Sequence, residues 1–299
     1  MNKVRLEARP ATSRFSQWGE ENIVRELLKI GPKRPKLIEF GGSRGFDNSN
    51  MIVFAQDEIA EVILIEGNTE RFKQLEKNTA SMDNVHAINA YVGSRSGIDS
   101  LSQILSENDI DPEDVFGVSI DIDGDDALIF ENMDLNPEFA IVEYNPTLPL
   151  DGYFRNPPGK SMGNNLSELR RTGLELGFFE AALTPTNLVL VSNRLADRVE
   201  KIDLLDEANK LDNPRFGVGY DGTIVRFSGK STSTMEIMDA GWSRAVIIQP
   251  LPRWLRELAG GPFGRHWGKT VRRIFSVAGA LLARPITTVS LIISKRKAP

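Results

Sequence analysis

The chain has 299 residues with 40% hydrophobic and 26% charged composition, which suits one α/β domain with extensions or two small domains. It has no cysteine, which excludes disulfides, a thiolate nucleophile and cysteine metal sites. Residues 251–299 hold ten Lys or Arg against Glu257 alone, while residues 1–250 hold 26 basic and 40 acidic residues. So acidic a body argues against general nucleic-acid binding, which needs basic surface to meet phosphates.

The N-terminus, MNKVRLEARPATSRFSQ, lacks an apolar stretch of signal-peptide type, so a cytoplasmic location is expected. Gln17 to Ile30 then shows a helical period that Gly31-Pro32 stops. Next, strand-length apolar runs alternate with helical ones. Strands are expected at 37–40, 62–66, 85–92, 117–122 and 139–144, with helices at 48–56, 69–78, 98–107 and 126–133. This alternation means βαβ units, hence a parallel sheet covered on both faces.

The end of this region discriminates among such folds. A helix over 166–176 precedes two strand-like runs, 178–184 and 188–192, parted by Pro185-Thr186-Asn187. Three residues cannot hold a crossover, so these two strands must be antiparallel. Five parallel strands, a helix and a closing hairpin predict a Rossmann-like, seven-stranded, mostly parallel sheet with one antiparallel strand. That is the layout of class I S-adenosylmethionine (SAM) methyltransferases rather than of dehydrogenases. Periodicity weakens over 196–250, where residues 216–227 read as a hairpin turning at Asp221-Gly222. The expected organisation is a helical segment over 1–34, a methyltransferase-like domain over 35–195, an appendage over 196–250, and a basic C-terminal extension over 251–299.

The stretch KLIEFGGSRGFDNSN, residues 36–50, carries the strongest chemical signal. A strand carrying Glu39 and ending at Phe40 runs into a loop with Gly41, Gly42 and Gly45, where missing Cβ atoms let the backbone approach a ligand. Glu66 ends the second strand and is placed to accept hydrogen bonds from both ribose hydroxyls of a nucleoside. An acid there could instead cap the helix starting near Thr69. Glu39 and Gly41 would face the methionine end of SAM. Gly93, after the third strand, would border the adenine, although a glycine after a strand is also ordinary turn punctuation.

A second cluster, Asp121-Ile-Asp123-Gly124-Asp125-Asp126, follows the fourth strand, and Glu143-Tyr144-Asn145 ends the fifth. Alternation along a strand pairs Asp121 with Asp123 and Glu143 with Asn145 on one side each. Asp121, Asp123 and Asn145 are therefore the catalytic candidates. With Glu143 they form a candidate oxygen-donor set for Mg²⁺, which would acidify an acceptor hydroxyl. The plainer reading is that Asp125 or Asp126 caps the next helix and the remaining acids are solvated. His86 reads as a core or edge strand residue, so a carboxylate base or a metal is what remains to deprotonate a hydroxyl. Arg155 and Lys160, in the Gly- and Pro-rich segment 152–165, could meet an anionic acceptor or could simply be solvated.

Taken together, FSQWGEE at 15–21, IEFGGSRGFDNSN, ILIEGN, VSIDIDGDDALIFENM, AIVEYNP and SMGNNLSELRRTGLELGFF resemble the FkbM-type SAM-dependent methyltransferases over roughly residues 13–195. The resemblance implies a class I methyltransferase fold, SAM as cofactor, and an acceptor hydroxyl on a sugar, glycan or polyketide-type product. The chain departs from that family's usual Asp-x-Glu-Gly pattern in carrying Ile-Asp-Gly-Asp-Asp at 122–126.

The expectation is thus a SAM-dependent O-methyltransferase acting on a sugar, glycan or related small molecule. The alternatives are a non-catalytic nucleotide- or glycan-binding protein on the same fold, and a metal-dependent enzyme using a nucleotide sugar. Residues 265–284 read as a basic amphipathic helix, followed by an apolar run and Lys295-Arg296-Lys297. Interrupted by Arg284-Pro285, this segment, 265–297, holds no apolar run long enough for a spanning helix. It could make peripheral membrane contact at the inner face, or pack on the acidic body.

Overall fold

The alternating apolar runs form strands whose successive side chains enter two separate cores. The computed structural model describes residues 3–92, 101–122, 124–146, 148, 150, 152–157 and 163–211, with strand segments 215–218, 224–227 and 245–247. Its two compact units are Met1–Asn213 and Pro214–Pro299.

In the first unit the elements run α1 (Glu20–Leu28), β1 (Lys36–Phe40), α2 (Ile52–Gln56), β2 (Glu61–Ile65), α3 (Thr69–Thr79) and β3 (Val85–Ile88). There follow α4 (Leu101–Glu107), β4 (Val115–Ile120), α5 (Asp126–Asn132), β5 (Phe139–Glu143) and α6 (Leu166–Glu175). The closing elements are β6 (Phe178–Leu183), β7 (Asn187–Ser192) and α7 (Leu204–Lys210). The strand order is β3-β2-β1-β4-β5-β7-β6, with β7 antiparallel to both neighbours and the other pairings parallel. This is the seven-stranded class I methyltransferase sheet, with the reversed strand where the short 184–186 connection requires it.

Burial explains the uninterrupted apolar strands. Ile38 and Phe40 of β1 and Ile63 and Ile65 of β2 join one core with Leu105 of α4, Phe130 of α5 and Leu169 of α6. Leu37, Val62 and Leu64 face the other, with Leu27 of α1, Phe54 of α2 and Leu75 of α3. Each fully buried aliphatic side chain contributes roughly 1.5–3 kcal/mol, so losing either helical layer would expose the whole of one sheet face. Gly173 of α6 lets that helix lie against the sheet, since a Cβ there would come within 2.7 Å of Leu190 Cδ1.

Several boundaries differ from the periodicity. Helix α2 starts at Ile52 because Asn48 takes φ +58° and the polar groups of Ser49 and Asn50 turn back to Glu39. Strand β3 stops at Ile88, leaving Ala90, Tyr91 and Val92 to line a cavity. Strand β4 stops at Ile120, so Asp121 belongs to the loop beyond it. The second unit contains β8 (Arg215–Val218), β9 (Ile224–Phe227) and β10 (Ala245–Ile247), an antiparallel sheet ordered β10-β9-β8. The first two strands match the expected hairpin and the third was not foreseen. The turn at Asp221-Gly222 and the basic segment 251–299 lie outside the described residues. Among the described residues no helix is long and apolar enough to cross a membrane.

Candidate cofactor and active site

The loop after β1 is built on backbone contacts that leave no room for side chains. The N–H groups of Gly41 and Gly42 both donate to the Ile65 carbonyl, at 3.0 and 3.1 Å, which pins the loop to the end of β2. Gly41 has φ +74°, and a Cβ on it would lie 1.9 Å from the Asp121 carbonyl oxygen. Only glycine meets both demands.

Glu66 stands just beyond β2, 5% exposed. Its Oε2 accepts the Ser43 N–H at 2.9 Å and its Oε1 accepts the Asn68 N–H at 2.7 Å. The α3 cap is Asn68, whose side chain accepts from the Glu70 and Arg71 N–H groups at 3.0 Å each. Glu66 is therefore not the helix cap. Each of its oxygens takes one backbone N–H and keeps a further lone pair.

A cavity of about 600 Å³ opens over the carboxyl ends of the strands, in the size range of small-molecule sites. Glu39, Gly41, Gly42 and Ser43 line it from the β1 side, and Glu66, Gly67 and Asn68 from the β2 side. Tyr91 beyond β3, Asp121 beyond β4 and Glu143 at the end of β5 complete the rim, with Gln17 entering from the N-terminal segment. Tyr91 is 76% exposed and its ring sits over Gly67, where a Cβ would come within 2.9 Å of ring atom Cδ2. Six carboxylates (Glu39, Asp47, Glu66, Asp121, Asp125 and Glu143) line the cavity against one cation, Arg71, among the described residues.

Burial pushes the Glu39 carboxyl up to about 7, a rise to which the nearby Asp121 adds and which the Ser49 hydroxyl and Asn50 N–H partly offset. Those two groups hold the carboxylate in place, the Asn50 N–H at 2.8 Å, and the Asn50 side chain donates to Ser119 Oγ at 3.0 Å. Asp126 is likewise pushed up to about 7 by burial, against N–H groups of Ile122 and Gly124 at 2.9 and 3.0 Å.

The structure brings together many of the residues expected from sequence. Glu39, Gly41, Gly42, Glu66, Asp121 and Glu143 all line the cavity. Gly45 does not; with φ +97° it turns the loop back, donating its N–H to the Gly42 carbonyl at 2.8 Å. Asn145 also stands outside the lining, its backbone N–H bound to the Asn164 carbonyl at 2.8 Å. Strand β5 ends at Glu143, so Asn145 lies beyond the strand whose alternation was to pair it with Glu143. Gly93, Asp123 and Lys160 lie outside the described residues. Among the described residues no group of three or more His, Cys, Asp or Glu could hold a metal ion.

Neither Asp125 nor Asp126 caps α5 with its side chain. Asp125 accepts from Asn156 Nδ2 at 2.8 Å, and Asp126 turns back to the preceding loop. Arg155 is committed to ion pairs, with Glu168 Oε1 and Glu131 Oε2 both at 2.6 Å. Burial pushes the Glu168 carboxyl upward, but hydrogen bonds from Arg171 and Arg155 outweigh it and hold it below its ordinary value. His86 lies on edge strand β3 beside Glu61, at 3.0 Å.

Sequence reasoning missed Gln17, Ser43, Asn68 and Tyr91. For Tyr91 a signal existed: an aromatic immediately after the third strand, at the carboxyl edge where ligands sit. It also missed Asn164, fully buried, which donates to the Gly124 carbonyl at 2.9 Å and accepts the Asn156 N–H at 2.9 Å. That amide ties the loop after β4 to the segment leaving β5.

The chain matches no protein-family model and no curated protein sequence. Solved structures align with it at low identity. TrmK of M. capricolum in complex with S-adenosylhomocysteine (SAH) is 10% identical, with 64% of this chain aligned to 76% of that one at a TM-score of 0.40. The N-terminal domain of EvdMO1 with SAH bound is 13% identical over 62% of this chain and 83% of that one, at 0.38. A SAM-dependent methyltransferase from Aquifex aeolicus is 11% identical over 56% and 86%, at 0.36. The fold assignment rests on the strand order and the reversed seventh strand.

Proposed function

We propose that the protein is a SAM-dependent methyltransferase that acts on a hydroxyl of a sugar, glycan or related small molecule. The observation that carries this reading is Glu66: a buried carboxylate on the cavity wall, oriented by two backbone N–H groups and not used as a helix cap. Its remaining lone pairs suit a vicinal ribose diol. Gly41 and Gly42 line the cavity with backbone alone, and Tyr91 offers a flat face for a base.

The charge of the cavity supports SAM over a nucleotide sugar or dinucleotide. Among the described residues, six carboxyl groups against one arginine disfavour a diphosphate and favour a ligand bearing ammonium and sulfonium charges. When bound, SAM supplies an electrophilic methyl group on that sulfonium. The chain's own residues orient and deprotonate the acceptor: Asp121, on the cavity rim, is the candidate base. Glu39, pushed up to about 7, can hold or release a proton near neutrality.

Calorimetric titration with SAH, on wild type and Glu66→Ala, tests the reading. Micromolar binding that Glu66→Ala removes, with UDP-glucose failing to compete, supports it. Tighter binding of UDP-glucose than of SAH would overturn it in favour of the nucleotide-sugar alternative.

A further inference from the structure

The segment FSQWGEE is one motif for which the proposed function leaves no role, and it is held in place by two buried glutamates. Glu20 and Glu21, 0% and 4% exposed, open α1, yet neither lines the cavity. Glu21 gathers the residues before the helix. Its carboxylate accepts the Arg14 N–H at 3.0 Å, the Phe15 N–H at 2.5 Å, the Ser16 N–H at 2.9 Å and the Ser13 hydroxyl at 3.3 Å. Glu20 fastens the other end. Its Oε1 accepts from Thr184 Oγ1 and Asn187 Nδ2, both at 2.8 Å, and its Oε2 accepts the Trp18 N–H at 2.9 Å.

These anchors fix where the segment runs. Phe15 packs on Phe46 of the loop after β1, with ring centroids 5.2 Å apart. Asn187 faces Glu143 across the β5–β7 ladder. Residues 15–20 therefore cross the carboxyl edge of the sheet from the β1 loop to the end of β5. Gln17, exposed and midway along, lines the cavity. Glu66 and Tyr91, the nucleoside-side residues, stand at β2 and β3, on the other side of β1 in the strand order.

We propose that Gln17 is an acceptor-contacting residue and that Glu20 and Glu21 are its positioning groups. A carboxamide donates and accepts at once, which matches an uncharged hydroxyl-bearing acceptor better than a charged one. Holding the residue on two buried carboxylates keeps its backbone fixed while its side chain stays open to the cavity. The assignment rests on the SAM reading of the cavity.

The chain has no cysteine, so Gln17→Cys introduces a unique thiol. Three measurements on the full chain test the proposal: SAH calorimetry, N-ethylmaleimide labelling of Gln17→Cys with and without saturating SAH, and hydrogen exchange over residues 13–20 in Glu21→Gln. Gln17→Ala should bind SAH within about twofold of wild type, and Gln17→Cys should be labelled within about threefold of its free rate in the SAH complex. Glu21→Gln should speed exchange of the 13–17 amides about tenfold while SAH affinity and the exchange of β1 and β4 hold, which a general loss of stability would not produce. Protection of the thiol by SAH, or a tenfold loss of SAH affinity in Gln17→Ala, would make Gln17 a cofactor residue and overturn the acceptor assignment. Unchanged exchange in Glu21→Gln would overturn the positioning role. If wild type binds no SAH, the cofactor reading falls and the acceptor assignment with it, while exchange still decides the positioning role.

Discussion

The backbone carbonyl of Asp121 lies 1.9 Å from the point that a Cβ on Gly41 would occupy, so the loop after β1 rests directly on the end of β4. Two neighbouring strand ends thereby become one continuous cavity wall, and the acid after β4 is brought beside the acid of β1. The raised Glu39 carboxyl, to which Asp121 contributes, is an electrostatic consequence of that contact.

Gly41→Ala must move backbone, because both the φ of +74° and the neighbouring carbonyl oppose a side chain. The cost should be at least about 2 kcal/mol, a fall in Tm of roughly 4–8 °C for a domain of this size. Thermal unfolding of the variant, with SAH titration beside it, checks this. A Tm within 1 °C of wild type would mean that the contact is not present.

Glu39 and Asp126 predict a pH dependence of stability. Both carboxyls titrate near 7 when folded and near their ordinary 4.5 and 3.8 when unfolded. Between those values the folded state holds more protons than the unfolded state, so stability falls as pH rises from about 5 to 7. Each group steepens the fall by at most about 1.4 kcal/mol per pH unit. Glu39→Gln should flatten the Tm–pH curve and raise Tm at pH 8 relative to wild type. An unchanged slope would show that Glu39 is ionised throughout.

Tyr91 should matter for binding and hardly at all for stability. The residue is 76% exposed, so removing its ring forfeits little burial, whereas a stacked base is worth about 1–3 kcal/mol. Tyr91→Ala is expected to weaken SAH binding about tenfold with Tm within roughly 1–2 °C of wild type, and Tyr91→Phe to keep affinity. Equal SAH affinity in both variants would remove Tyr91 from the site.

Asn165 caps α6 and holds the loop leaving β5: its Oδ1 accepts the Glu168 N–H at 2.9 Å and the Phe154 N–H at 3.1 Å, and its Nδ2 donates to the Gly152 carbonyl at 2.9 Å. Asn165→Ala loses a helix cap and leaves a part-buried N–H unmet, a destabilisation of about 2–4 kcal/mol. Denaturant unfolding measures it, and Asn165→Asp, which keeps both acceptor contacts, should recover most of the loss.

Local patterns carried the sheet. Apolar runs of strand length, helical periods between them and the three-residue gap read at 185–187 leave few topologies once crossovers are taken as right-handed. The β1 glycines and the acid after β2 were legible for the same reason, since strand ends in such a sheet face the ligand crevice. Boundaries were less so: side-chain hydrogen bonds, such as those from Ser49 and Asn50 to Glu39, decide where α2 begins. Asn145 shows the limit of strand alternation, which holds only while the strand lasts.

By itself, then, the sequence determined the order of elements, the two-sided burial of the strands and the glycine–acid pattern at the edge, because these depend on near neighbours in the chain. The tertiary structure alone decided that Asn68 and not Glu66 caps α3, that Arg155 is spent on Glu168 and Glu131, and that Gln17 reaches the cavity from about 20 residues before β1. Each of those outcomes is set by which polar groups meet across long stretches of chain. A buried charge or N–H takes whatever partner the packing brings within about 3 Å, and no local pattern encodes that choice.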